Sequence, residues 1–266
     1  MKRVTHEPAF VLHRYDWSET SLILEVFTRH GGRIALAAKG VKRPSSNFRP
    51  VLLPLQPLQI AYSGDGEIRT LKAAQWMGPH IMPQGESLMA GYHVNELMLK
   101  LLARDDPHPE LFDVYAPMVQ HIALSGGTGR GDADVLQAVL RAFELLLLRE
   151  LGLLPQLHLQ TTTLRGLQGE TMYHLSEHGL RESPGEAAGL SGWQWRNIQS
   201  ALDGGGDHAI TLSGVVDACE PVAGLLKPML RQLLHYHCGV STLKTRQLLM
   251  DVQGMMPAAA MGAGPA

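Results

Sequence analysis

The feature that most constrains this chain is a change of hydrophobic period near residue 80. Up to Trp76 the apolar residues come in short runs separated by turn signals, and beyond Pro79 and Pro83 they recur at helical spacing. Pro8–Arg14 predicts a short apolar strand. Ser21–Thr28 (SLILEVFT) and Gly32–Lys39 (GRIALAAK) flank Arg29-His30-Gly31-Gly32, where glycine accepts a positive φ without steric cost, so 21–39 predicts a hairpin. Lys42–Pro50 has loop chemistry. Pro54 and Pro57 interrupt Val51–Tyr62, as at an edge strand or a bend. Ser63-Gly64-Asp65-Gly66 predicts a second hairpin turn leading into Glu67–Trp76.

Five strands in about 75 residues fit a small closed or nearly closed barrel, of which the OB-fold is the commonest binding form. The remainder predicts helices over Glu86–Arg104, Glu110–Leu124, Val135–Leu151, Ser191–Leu202 and Leu243–Met250. Val215–Cys238 is a longer stretch that Pro221 or Pro228 starts or kinks. Gly126–Gly131 reads as a flexible connector, and Met172–Glu182 as a small hairpin or strand. The expected class is therefore α+β. An N-terminal β-barrel (1–80) precedes a mainly α-helical domain (81–253) with an irregular or hairpin insert near 158–190, and the tail 254–266, without periodicity, is expected to be disordered.

Charge divides the chain as the periods do. Residues 1–83 carry 11 Lys/Arg against 6 Asp/Glu, while the whole chain is at −2, so the rest is acidic. A basic front and an acidic back suggest that one end meets an anion such as nucleic acid. Within the front, Arg29–Arg49 holds six cations and no carboxylate. Arg33, Lys39, Lys42, Arg43 and Arg49 are candidates to neutralise phosphates, and Phe48, with Tyr15 and Trp17 on the preceding loop, to stack on bases. The plain alternative is a solvated surface run.

Other patterns restrict the chemistry. The two cysteines, Cys219 and Cys238, form no CxxC pair, so a reducing cytoplasm is expected. No apolar run has the length of a signal sequence or of a membrane span. The glycine run 126–131 lacks the GK[ST] ending of a P-loop, and HExxH and GxSxG are absent. No catalytic residues and no cofactor are expected. His235, His237 and Cys238, with Cys219 or His208, are of metal-ligand type. Positions i and i+2 of a helix diverge, however, and a helix-terminal histidine cluster is the plainer reading. On Val135–Leu151, Leu136, Val139, Leu140, Phe143, Leu147 and Leu151 form a core face. Arg141, Leu145 and Leu148 fall roughly opposite, either as a groove for an apolar residue and a carboxylate or as a face covered by another helix.

The chain resembles the RecO family of bacterial recombination mediators. The resemblance is carried by Ala9–Gly40, above all WSETSLILEVFT and the closing AKG. It continues through GEIRTLKAAQ (Gly66–Gln75), GYHVNELMLKLL (Gly91–Leu102), LRAFELLLLRELG (Leu140–Gly152), LKPMLRQLL (Leu226–Leu234) and LKTRQLL (Leu243–Leu249). It implies an OB-fold followed by a helical domain, binding of single- and double-stranded DNA, annealing of complementary strands, cooperation with RecR, and a nucleoid-associated cytoplasmic location. It also implies binding of the acidic, hydrophobic C-terminal tail of single-strand DNA-binding protein and the loading of RecA. Arg141 and Leu145, with Leu148 beside them, resemble the positions that hold that tail. Many family members carry a four-cysteine zinc module after the LRELG-like helix. The corresponding region here, residues 155–185, has no cysteine, and no zinc is expected. The competing expectation is a protein- or RNA-binding OB-fold adaptor without annealing activity.

Overall fold

The computed structural model describes residues 3–78, 81–125, 130–183, 189–204 and 210–255. Five strands, β1 (Arg3–Asp16), β2 (Leu22–Thr28), β3 (Gly32–Ala38), β4 (Pro57–Ser63) and β5 (Ile68–Trp76), close in the order β1-β2-β3-β5-β4. The long β1 makes closure possible. Its second half pairs antiparallel with β2 (Arg14↔Leu24) and its first half with β4 (Val4↔Tyr62), while β3 and β5 join in parallel (Leu36↔Arg69). This is the OB-fold barrel. Alternate inward residues, Val11, Leu24, Val26, Ile34, Leu36, Leu58 and Ile60, fill it.

The helical part contains α1 (Gly85–Leu101), α2 (Pro109–Leu124), α3 (Arg130–Glu150), α4 (Gly192–Leu202), α5 (Leu212–Cys219), α6 (Ala223–Cys238) and α7 (Lys244–Met255). Between α3 and α4 lie β6 (Met172–Ser176), β7 (Gly179–Glu182) and β8 (Leu190–Ser191), a three-stranded sheet in the order β7-β6-β8. Pro221 ends α5 in a 3-10 turn, Glu220–Val222, and Pro228 lies inside α6. Ser191 caps α4 by accepting the N–H of Gln194, whose side chain accepts the N–H of Ser191 in return. The middle of α3 is buried on every side from Ala138 to Leu148, as expected of a helix enclosed by others. α7 extends past Gln253 to Met255, so the aperiodic tail does not begin at 254; residues 256–266, like His208 and the core of the 126–131 connector, lie outside the described residues. No described helix is long and apolar enough to cross a membrane.

The barrel and the helices share one core. Phe10, Leu12, Phe27 and Leu55 leave the barrel interior and join the helical cluster. Phe10 and Phe27 pack on Phe112 and Tyr115, with ring centroids 4.9–6.0 Å apart. Leu55, at φ 61°, reaches α1 where Gly91 has no side chain; a Cβ there would sit 2.4 Å from Leu55 Cδ1. Polar contacts follow the same seam. Asn95 donates to the Leu12 carbonyl at 3.1 Å and accepts from Tyr115 Oη at 2.6 Å. Gly32, at φ 67°, lies so close to the Asp106 carbonyl that any Cβ would come within 1.9 Å of its oxygen.

Candidate nucleic-acid interface and peptide pocket

At one end of the barrel, two loops are laced together. The β1–β2 turn and the start of the β3–β4 loop meet through Lys42 N–H to Thr20 O (3.0 Å) and Gly40 N–H to Ser21 Oγ (3.3 Å). Lys42 Nζ donates to Ser18 O at 2.9 Å and pairs with Asp16 at 2.6 Å. The far part of the β3–β4 loop is held to the strands by Arg14, donating to Leu52 O (3.4 Å), and Trp76, donating to Val51 O (3.2 Å). The result is one continuous surface carrying Arg14, Lys39, Arg43 and Arg49. Tyr15, Trp17 and Trp76 are about half exposed beside them (47%, 57% and 52%). Lys39, Arg43 and Arg49 pair with no carboxylate among the described residues, so their charge is free to meet an anion. The β4–β5 turn, by contrast, bears Asp65 and Glu67 and is the acidic end.

The expected phosphate-binding set is therefore redistributed. Arg33 is not on this surface. Its Nη1 donates to Glu25 at 3.0 Å and its Nε to the Leu102 carbonyl at 3.0 Å, and its side chain is only 16% exposed. With Arg104, which also bonds Glu25, it neutralises a carboxylate buried at the barrel–helix seam. Lys42 spends much of its charge on Asp16. Phe48 is half-buried against the barrel core, which removes most of its ring from stacking. Trp76 was missed; its signal is a large aromatic residue at the exposed end of a strand.

A second feature lies under α7. A cleft of about 490 Å³ is bounded by α1, α3, α6 and α7. Met89, Leu136, Leu140, Leu234 and Leu249 give it apolar walls, and Arg141, Lys227, Arg231 and Arg246 line it with positive charge. Arg141, nearly buried, donates to Glu144 at 2.5 Å, and His93 meets the same carboxylate at 3.2 Å. Burial opposes the charge on Glu144, but Arg141 and His93 outweigh it and hold its pKa below the ordinary value, so Glu144 is ionised. Burial, then Arg246 and Arg231, push His235 below its ordinary pKa, so it is neutral at pH 7. The α7 edge is anchored by Glu96, which accepts the N–H groups of Lys244 and Thr245 and the Thr245 hydroxyl, each at 2.8 Å.

Arg141 thus lines a cleft, but its expected neighbours do not. Leu145 and Leu148 are fully buried, on the side of α3 that other helices cover, and neither borders the cleft. An exposed apolar groove at those two residues is corrected: the face is core. Lys227, Arg231 and Arg246 were missed. Their signal is a stripe on α6, Lys227, Arg231, Leu234 and His235 at i, i+4, i+7 and i+8, and a cation on the short helix that follows. Of the histidines at the end of α6, His235 faces this cleft, whereas the His237 ring packs edge-on to Tyr236. Among the described residues no three His, Cys, Asp or Glu side chains converge as metal ligands.

A closed β1-β2-β3-β5-β4 barrel welded to a helical body defines the class, an OB-fold protein with a helical C-terminal module. Comparison with known proteins narrows it. Residues 1–80 match the model of the Recombination protein O N-terminal region, and residues 82–192 match that of its C-terminal region. A protein of Variovorax paradoxus (strain S110) named DNA repair protein RecO is 59% identical over 254 residues, covering 95% of this chain and 98% of its own. Proteins of the same name from Albidiferax ferrireducens (58% identical, 96% and 98% covered) and Polaromonas sp. strain JS666 (56%, 96% and 99%) align as fully. The chain belongs to the RecO family of DNA repair and recombination proteins.

Proposed function

We propose that the chain is a non-enzymatic, DNA-binding recombination mediator in which the two surfaces divide the work. The barrel end, within residues 1–80, holds single- or double-stranded DNA and favours annealing of complementary strands. The cleft in the helical part, residues 81–253, takes the acidic C-terminal tail of single-strand DNA-binding protein and so recruits the mediator to covered strands. There it acts with RecR to load RecA, in association with the nucleoid. The observation that carries this reading is the barrel end itself. Lys39, Arg43 and Arg49, unpaired among the described residues, stand beside exposed Tyr15, Trp17 and Trp76 on an OB-fold of a RecO-family chain. Cations that release counterions and flat rings that accept any base are the two requirements of sequence-tolerant strand binding.

The test is a salt titration of binding to a fluorescent single-stranded oligonucleotide. Each phosphate contact contributes roughly 0.7 to the slope of log K against log salt for single strands. The variant Lys39→Glu/Arg43→Glu/Arg49→Glu is expected to lower that slope by about 2 and to lose most affinity. An unchanged slope would remove the barrel end from the DNA site. Weak binding by the wild-type chain at physiological salt would favour the protein- or RNA-binding adaptor.

A further inference from the structure

A different cleft, of about 740 Å³, opens between α2, α3 and the start of α5, and shares no lining residue with the cleft under α7. Its volume lies within the range of about 300–1,000 Å³ usual for ligand clefts. Val114, Pro117, Leu146, Ile210 and Leu212 give it apolar walls. Glu110 and Asp113 from α2, and Glu150 from the end of α3, bring carboxylates to its lining. Arg29 of the barrel bonds both oxygens of Asp113, at 2.8 and 2.7 Å, and holds its pKa below the ordinary value. Glu150 meets the ring of His108 at 2.9 Å, and Glu110 has no cation partner among the described residues. Arg149, also on the lining, lies 3.9 Å from Asp203, which is outside it. Two carboxylates, Glu110 and Glu150, are thus left without a permanent cation. Pro117 adds a backbone acceptor. Lying inside α2, it has no N–H to give the Asp113 carbonyl one turn earlier, and both residues line the cleft.

We propose that this cleft docks a basic segment of a partner protein, in which an apolar side chain is flanked by lysine or arginine. The apolar residue would lie against Val114, Leu146 and Ile210, and the flanking cations would meet Glu110 and Glu150. Charge complementarity selects this occupant. The barrel end and the cleft under α7 are both lined by unpaired cations and repel a basic segment, whereas here the unmatched groups are acceptors. The inference is independent of the DNA and tail readings, because it uses none of their residues.

The probe is a labelled synthetic peptide with a central leucine flanked by arginines, titrated into the full chain by fluorescence anisotropy. Glu110→Lys and Ser213→Arg each place a cation on the lining at an exposed position, so folding is not at stake. Each is expected to weaken binding about tenfold or more, as for loss of a charge-assisted contact. Replacing the peptide's leucine by serine should also weaken it about tenfold, since the apolar burial is lost. Glu182→Lys reverses an exposed carboxylate on β7, outside the cleft, and should bind like wild type. No binding by the wild-type chain would overturn the proposal. So would binding that ignores both cleft variants, or that falls equally in Glu182→Lys, because the attraction would then be that of any acidic surface. Sedimentation of the chain alone checks the occupant. Self-association that Glu110→Lys abolishes would overturn the assignment to a partner protein and place a second copy in the cleft.

Discussion

Arg33→Ala separates the two roles a cation can have in this barrel. In the sequence Arg33 belongs to a run of six cations. In the fold it faces the seam, donating to Glu25 and to the Leu102 carbonyl, each at 3.0 Å. Glu25 is 3% exposed and keeps a second partner, Arg104. Removing one partner of a buried pair costs roughly 3–5 kcal/mol. Because Arg104 still neutralises Glu25, the lower end applies, with the unpaired Leu102 carbonyl adding to it; we expect a loss of about 3 kcal/mol. Equilibrium urea unfolding followed by far-UV circular dichroism measures it. The folded variant should bind single-stranded DNA within about twofold of wild type, with its salt slope changed by less than one contact's worth, roughly 0.7. Lys39→Ala should do the reverse, leaving stability within about 0.5 kcal/mol and weakening DNA. A stability loss under about 1 kcal/mol for Arg33→Ala, joined to a fall in DNA affinity like that of Lys39→Ala, would refute the structural assignment.

Three further outcomes follow from named contacts. Gly91→Ala places a methyl 2.4 Å from buried Leu55 and should cost about 1–3 kcal/mol by overpacking, read as a lowered thermal midpoint. Burial opposes the charge on Glu96, but hydrogen bonds from Thr245 and Lys244 outweigh it and hold its pKa below the ordinary 4.5. Its anchoring of α7 should therefore be full above about pH 4.5 and fade as pH falls through the folded-state value, seen as faster amide exchange in residues 246–250; equal protection in Glu96→Ala would contradict this. Burial pushes the Cys219 thiol up to about 12 and that of half-buried Cys238 up to about 11, so a thiol reagent at pH 8 should label Cys238 slowly and Cys219 only on unfolding.

Much of the architecture is legible in the sequence, because its signals are local. The Gly31-Gly32 turn, the alternation in SLILEVFT and the prolines at 221 and 228 act on neighbouring residues. The hairpin, the β6–β7 pair and the break before α6 accordingly lie within a few residues of where the sequence puts them. What could not be read is long-range. Glu25 sits in an apolar strand as if misplaced, and only the fold reveals Arg33 and Arg104 around it. Leu145 and Leu148 look exposed if α3 has one buried face; enclosed as it is by other helices, α3 has none to spare for solvent there. The cleft was half legible for the same reason. Arg141 stands in a recognisable motif, whereas Lys227, Arg231 and Arg246 lie 86 to 105 positions further on and join it only through the packing of α6 and α7.

Strand handling and recruitment are proposed to occupy separate surfaces of one molecule, whose barrel and helices share a core. Annealing of complementary oligonucleotides coated with single-strand DNA-binding protein tests it most directly, run with the coating protein intact and with its C-terminal tail removed. The account predicts that the chain anneals strands covered by the intact protein and fails, or slows severely, when the tail is absent, while annealing of bare strands is unaffected by Arg231→Gln/Arg246→Gln and abolished by Lys39→Glu/Arg43→Glu/Arg49→Glu. Equal annealing with and without the tail, or loss of bare-strand annealing on altering the cleft alone, would contradict it.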